Sequence, residues 1–260
     1  MDKQDGTLFT RAMAENALKR SGNVVIPLGI KQIDDFAFAR MQNLTEVSIP
    51  NTVTNIGYMA FLMCENLKSI NIPVSVRQIS EGAFMSCMSL ESICIPSSMH
   101  FIEENLFSGC IKLKVVDGME NVYYIGKHAF AKCTSLTKIN LPKELIFIKA
   151  HAFDSCNSLY EFYVPDSVMR MEYGAFSNCR NLKKVIFSEM CRIDMIESDV
   201  FYDCTELDSI NIPETVKSIE NGAFSYCTSL KKIEIPKNVE YIGTSAFWGC
   251  ENIEVIKISE

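Results

Sequence analysis

Residues 49–71 read IPNTVTNIGYMAFLMCENLKSIN, and Ile72-Pro73 then begin the same phrase again. One phenylalanine marks each copy, at Phe38, Phe61, Phe84, Phe107, Phe130, Phe153, Phe176, Phe201, Phe224 and Phe247. The interval is 23 residues except from Phe176 to Phe201, where it is 25. Alanine usually precedes the phenylalanine, with Val200 an exception. Cysteine follows it by three residues in every copy but the first, which has Met41, and leucine (Ile253 in the last copy) follows by six. All eight prolines fall eleven residues before a repeat phenylalanine. The consensus is I-P-x-x-V-x-x-I-x-x-x-A-F-x-x-C-x-x-L-x-x-I-x, and a fixed period of this length is the signature of a solenoid.

The spacing predicts the shape of one coil. Ile70 and Ile72 alternate with Ser69 and Asn71, the period of a short strand with one buried face. Proline ends that strand because it has no N–H for the next ladder bond. Val53-x-x-Ile56 and Ala60-Phe61-x-x-Cys64 suit an extended turn followed by about one turn of 3₁₀ or α helix. A coil of this size cannot cover its own apolar side, so coils must stack, with strands pairing in parallel and equivalent side chains superposed. Ten rungs at roughly 4.8 Å make a sheet on the order of 45 Å long. The repeat cysteines, Cys64 to Cys250, then form a buried column of reduced thiols where a small apolar group is wanted. Pairwise disulfides and metal binding fit less well, since the column holds nine thiols and no C-x-x-C pair. Cys94 and Cys191 lie outside the column.

The consensus resembles the BspA-type leucine-rich repeats of bacterial surface proteins and some protozoan ones. Ile49-Pro50-x-x-Val53-x-x-Ile56-Gly57-x-x-Ala60-Phe61-x-x-Cys64-x-x-Leu67-x-x-Ile70 carries the likeness, and it extends over about residues 23–260. It implies an α/β repeat solenoid, a right-handed leucine-rich-repeat superhelix of ten repeats. A parallel sheet would line the concave side, with short strands and 3₁₀ or α turns on the convex side. It also implies a non-catalytic role in binding proteins, including adhesion to host or matrix proteins for exported members.

Composition narrows the classes further. The 260 residues are 48% apolar and 22% charged, enough for a core and far from a disordered composition. A net charge of −7 argues against nucleic acid or an anionic membrane as partner. No window approaches the roughly 18 apolar residues of a membrane span. Residues 1–22 contain no signal-peptide core. That places the chain in the cytoplasm if Met1 is the native start, or at the cell surface or outside if a signal was removed. Within 1–22, Thr7 to Arg20 have helical spacing with a stop at Ser21-Gly22, predicting a helix that caps residues 23–260. A partner-binding helix is the alternative. After Ile256-Lys257-Ile258 no cap follows. Continuation of the chain ranks first, ahead of end-to-end self-association through the last repeat or protection by the flanking Lys and Glu. The repeats could also be a regulatory or targeting module of a larger polypeptide.

Candidate sites come from irregularities and from outward positions. Asp117-Gly118-Met119 replaces a strand end and its proline, and residues 188–192 hold the two-residue insertion. On the expected concave strands, Tyr163, Lys184 and Ile186, with Tyr160 at the edge and Lys138 nearby, have the composition of a protein-interface anchor. Glycan binding by the exposed aromatics is the competing reading. His128 and His151 hold equivalent positions in adjacent repeats and make at best a weak metal pair. His100, near Ser97, Ser98 and Glu103, carries no sign of a nucleophile–base pair. There is no G-x-G-x-x-G after a strand, no P-loop and no H-E-x-x-H. The expectation is no enzyme, no metal and no cofactor.

Overall fold

The computed structural model describes residues 7–19 and 22–258. It is a parallel β-solenoid of about eleven turns. Most coils contribute one short strand to each of two faces, separated by the proline corner. On the first face the expected strands form short parallel ladders. Asn23–Val25 pairs with Glu46–Ser48, Ser92–Cys94 with Val115–Asp117, and Lys232–Ile235 with Val255–Ile258. Glu161–Val164, Lys184–Phe187 and Ser209–Ile210 make a three-stranded ladder. On the second face, two-residue strands such as Asn55–Ile56 and Gln78–Ile79 pair in the same sense. Their second residues, Ile33, Ile56 and Ile79, turn inward and are fully buried.

The arc around each phenylalanine corrects one expectation. It is a run of tight turns, not a turn of helix. In the coil of Phe61, Ala60, Leu62 and Cys64 donate to Gly57, Met59 and Phe61 within the coil. The alternate residues Met59, Phe61 and Met63 donate instead to Glu81, Ala83 and Met85 of the next coil, at 2.8–3.0 Å. Met59 and Met63 have φ of 48° and 54°, at the third position of their turns, where type II turns need a positive φ. The same two positions recur at positive φ along the stack, in Phe36 and Arg40, His128 and Lys132, and His151 and Ser155. Each such residue costs about 1–2 kcal/mol. The bonds along the axis and the ring buried between them offset that cost.

That ring column is continuous. Successive rings from Phe38 to Phe247 lie 4.8–5.9 Å apart and within 19° of parallel. Beside it runs the cysteine column, whose role is more specific than filling space. Each thiol donates to the carbonyl of the preceding coil's phenylalanine, as in Cys64 to Phe38 at 3.0 Å and Cys179 to Phe153 at 3.0 Å. The bond recurs at all nine column cysteines, ending with Cys250 to Phe224. All eleven cysteines are free. Burial pushes the Cys64 and Cys110 thiols up to about 12, and the Cys156 and Cys204 thiols well above their ordinary value.

The N-terminal segment differs from the helix expected over Thr7 to Arg20. Leu8–Phe9 is a strand paired with Gln32–Ile33, and the helix is shorter, Arg11–Leu18. Phe9 stacks on Phe38 at 5.4 Å, so the ring column starts one coil before the first repeat. The helix replaces the arc of that coil and buries Ala14. Arg11 ties it down by donating to the Ala39 carbonyl at 2.9 Å. Arg20 and Ser21, part of the expected helix end, lie outside the described residues. No helix among the described residues is long and apolar enough to cross a membrane.

Two outcomes test this packing. Phe153 lies between Phe130 and Phe176, with Phe162 edge-on. Phe153→Ala should destabilise the fold by about 3–5 kcal/mol in denaturant titration, whereas Tyr163→Ala should leave the midpoint unchanged. Titration of the native protein with Ellman's reagent should modify Cys94 rapidly and the half-buried Cys250 slowly, and denaturant should release all eleven thiols.

Candidate partner-binding face

Lys138, Tyr160, Tyr163, Lys184 and Ile186 lie on three successive coils of the first face. The coil of Lys138 is more irregular than that of Ser69 and Asn71, which keeps a single bridge to Ser48. Its segment 137–141 pairs neither with Val115–Asp117 before it nor with Glu161–Val164 after it. Unpaired backbone groups must reach water, and the surface opens on both sides of this segment. One cleft, about 480 Å³, is bordered by Lys138, Asn140, Leu141, Tyr160, Tyr163 and Ile186. The other, about 400 Å³, lies between Val116–Glu120 and Asn140–Glu144. Gly118 shapes that second cleft. It stands where Ile72 and Ile95 stand in earlier coils, with φ of 76°, and a Cβ there would meet the Ile95 carbonyl oxygen. The chain therefore draws in where a side chain normally fills the wall.

Four of the five expected residues thus converge on one cleft. Tyr160 and Tyr163 are 53% and 57% exposed, which suits contact with another molecule, while Ile186 is half-buried and forms the floor. Tyr163 pairs with Ile186 and Glu161 with Lys184 in register. Lys184 turns away from the main cleft into a shallower groove with Ile186 and Asn211. A residue the sequence did not single out completes the edge. The Lys183 ammonium sits 5.9 Å from the centre of the Tyr160 ring and 3.7 Å from the Asp208 carboxylate. Tyr160 and then Asp208 raise its pKa. Only the register of neighbouring coils reveals this contact.

The insertion borders the same face. Ser188 occupies the place of the usual proline and, having an N–H, donates to the Val164 carbonyl at 3.0 Å. Its hydroxyl also bonds the Asp166 carboxylate. Cys191 is buried while Met190 projects, 73% exposed, just past the strand that carries Ile186.

The histidines make a different arrangement. His128 and His151 stack at 4.9 Å and 4°, with Tyr173 edge-on to His151. Partial burial lowers the His128 pKa, and His151 and Lys127 lower it further. Among the described residues no group of three or more His, Cys, Asp or Glu converges as a metal site. His100 bonds the Asn121 carbonyl through Nδ1 at 3.0 Å, and Ser98 donates to the Val76 carbonyl, so the two do not pair. The column thiols are held protonated by burial, which is the wrong state for a nucleophile.

A family model described as the BspA type leucine-rich repeat region matches residues 16–137 and 194–260, in six copies. Among solved structures, the chain is similar to a leucine-rich cell surface protein from Faecalibacterium prausnitzii A2-165. Identity is 27%, with 92% of this chain and 88% of that one covered, at a TM-score of 0.46. A leucine-rich repeat protein of T. pallidum is 28% identical over 73% of this chain and 79% of its own, with a TM-score of 0.48. One from Bacteroides ovatus is 25% identical over 90% and 86%, with a TM-score of 0.40. No curated protein matches the chain. A 23-residue phrase repeated through the chain, and a family match over most of its length, lead to one conclusion: the chain belongs to the BspA-type leucine-rich repeat family.

Proposed function

We propose that the chain is a non-enzymatic scaffold that binds a protein partner on its first face, at the cleft beside Lys138, Tyr160, Tyr163 and Ile186. The observation that carries this reading is the coincidence of three irregularities in residues 138–193, the stretch between the two family-matched segments. There a coil leaves the sheet unpaired, aromatic side chains stand in the water, and the insertion projects Met190. Elsewhere on this face the outward residues are mostly short and polar, such as Ser69, Asn71 and Ser92, a surface that gives little energy on association. Tyrosines over an aliphatic floor bury large area at low cost in side-chain entropy. Where the chain is displayed outside the cell, adhesion to a host or matrix protein is the form this binding takes.

The test replaces Tyr163, Lys184 and Ile186 together with alanine and measures partner recovery from host extract and cell lysate. Recovery of the specific partner should fall at least tenfold while the cooperative unfolding transition is retained, on the order of the effect of losing one buried anchor. Undiminished recovery would reject this face. A protein partner should be accompanied by silence on a glycan array, and binding there in place of a protein would move the chain to the glycan-binding class.

A further inference from the structure

The second face carries a feature that the proposed cleft does not use. In the early coils its outward positions hold amides, with Asn55 donating to Gln78 at 3.0 Å. Three later coils instead hold Phe101, Tyr124 and Phe147, aligned in register, followed by Arg170. Phe101 is 42% exposed, with its ring 5.8 Å from Tyr124 and 4.8 Å from Tyr123. Nothing in the core requires aromatic side chains at these outward positions.

The two ends of the strip differ in charge. At the Phe147 end the Lys149 ammonium lies 5.6 Å from the centres of both the Tyr124 and Phe147 rings. An ion pair to Glu172 fixes it there, and Arg170 pairs with Glu197. A cation over two rings, backed by a carboxylate, is a favourable and geometrically defined arrangement. At the Phe101 end the carboxylates are present and the cation is missing. Glu103 and Glu104 follow Phe101-Ile102 directly and act electrostatically on the Tyr124 hydroxyl. Among the described residues neither forms an ion pair, and Lys127 of the adjoining coil pairs with neither. Partial burial raises the Glu103 pKa, and Glu104 and Glu81 raise it further. Glu103 is thus half-buried and crowded by like charge, while Glu104 beside it is exposed.

We infer that the Phe101 end of this strip is a second protein-docking face. It takes an arginine or lysine side chain of a partner segment over the Phe101 ring, on the side away from Lys149, with Glu103 and Glu104 as counter-charges. Lys149 and Glu172 are the intramolecular version of the same contact. Apolar side chains flanking the partner's cation would cover the remaining exposed edge of Phe101. The charge complementarity selects a basic segment over an acidic one, and the chain's net charge of −7 steers it in. This docking is independent of the cleft on the first face.

The experiment uses the whole chain and a fluorescein-labelled nine-residue peptide of alternating leucine and arginine, read by anisotropy at physiological salt. A matched peptide carries citrulline, which keeps the shape of arginine and removes its charge. The arginine peptide should bind, and the citrulline peptide should bind at least tenfold more weakly. The double variant Glu103→Gln and Glu104→Gln should weaken the arginine peptide by roughly tenfold, and Phe101→Ser by about fivefold or more. The distant pair Glu214→Gln and Glu240→Gln, with the same change in net charge, should stay within twofold, as should Tyr163→Ala. No binding at millimolar protein, equal affinity for both peptides, or an equal effect from the distant pair would overturn the proposal.

Discussion

Stacking at one fixed spacing governs this molecule. A phenyl ring pointing into a 23-residue coil has nothing above or below it until the neighbouring coils arrive. Each coil must therefore present the same ring at the same height as its neighbours. Everything else follows from keeping that alignment. The backbone around the ring alternates between bonds within the coil and bonds along the axis, which forces non-glycine residues such as Met59 and Met63 to positive φ. The thiol beside the ring reaches back to the carbonyl of the previous ring's residue, joining the two columns. Burial of the rings is the energy source, and the axial bonds are the alignment device.

Most of this architecture was legible in the sequence, because a repeat announces equivalent positions regardless of their conformation. The phenylalanine, cysteine and leucine columns and the proline corner need only counting. Conformation within the coil was harder. Spacings of three and four, as in Ala60-Phe61-x-x-Cys64, fit a helical turn as well as a chain of tight turns. Only bonds to the next coil separate the two. Phe9 was hidden for a related reason: it lies 29 residues before Phe38, with the helix Arg11–Leu18 in between, so periodicity does not find it. The candidate face was partly visible, through the outward Tyr163 and Ile186. Its cleft was not, since an unpaired segment at 137–141 is a property of three coils together.

Both proposed binding sites lie where regularity fails. A perfect repeat offers the same polar strip on every rung and distinguishes no partner. Gly118, the unpaired segment after Thr137 and the insertion at Ser188 each break the pattern at a cost in local packing. They leave tyrosines, a methionine and lysines clustered on one side. On the other side, the change from amides to aromatics at Phe101 is a break in chemistry with the geometry intact. The two kinds of irregularity suit different recognition, one by shape and one by charge over a flat ring surface.

The thiol-to-carbonyl bonds carry a consequence for how such a chain changes length over generations. Because every seam joins a cysteine to the phenylalanine 26 residues earlier, duplicating or deleting one whole 23-residue unit recreates the same seam at the new junction. Copy number can drift through unequal exchange while each junction stays chemically identical. The 25-residue coil is the exception, its cysteine reaching back 28 residues, so copying that unit would carry the longer seam with it.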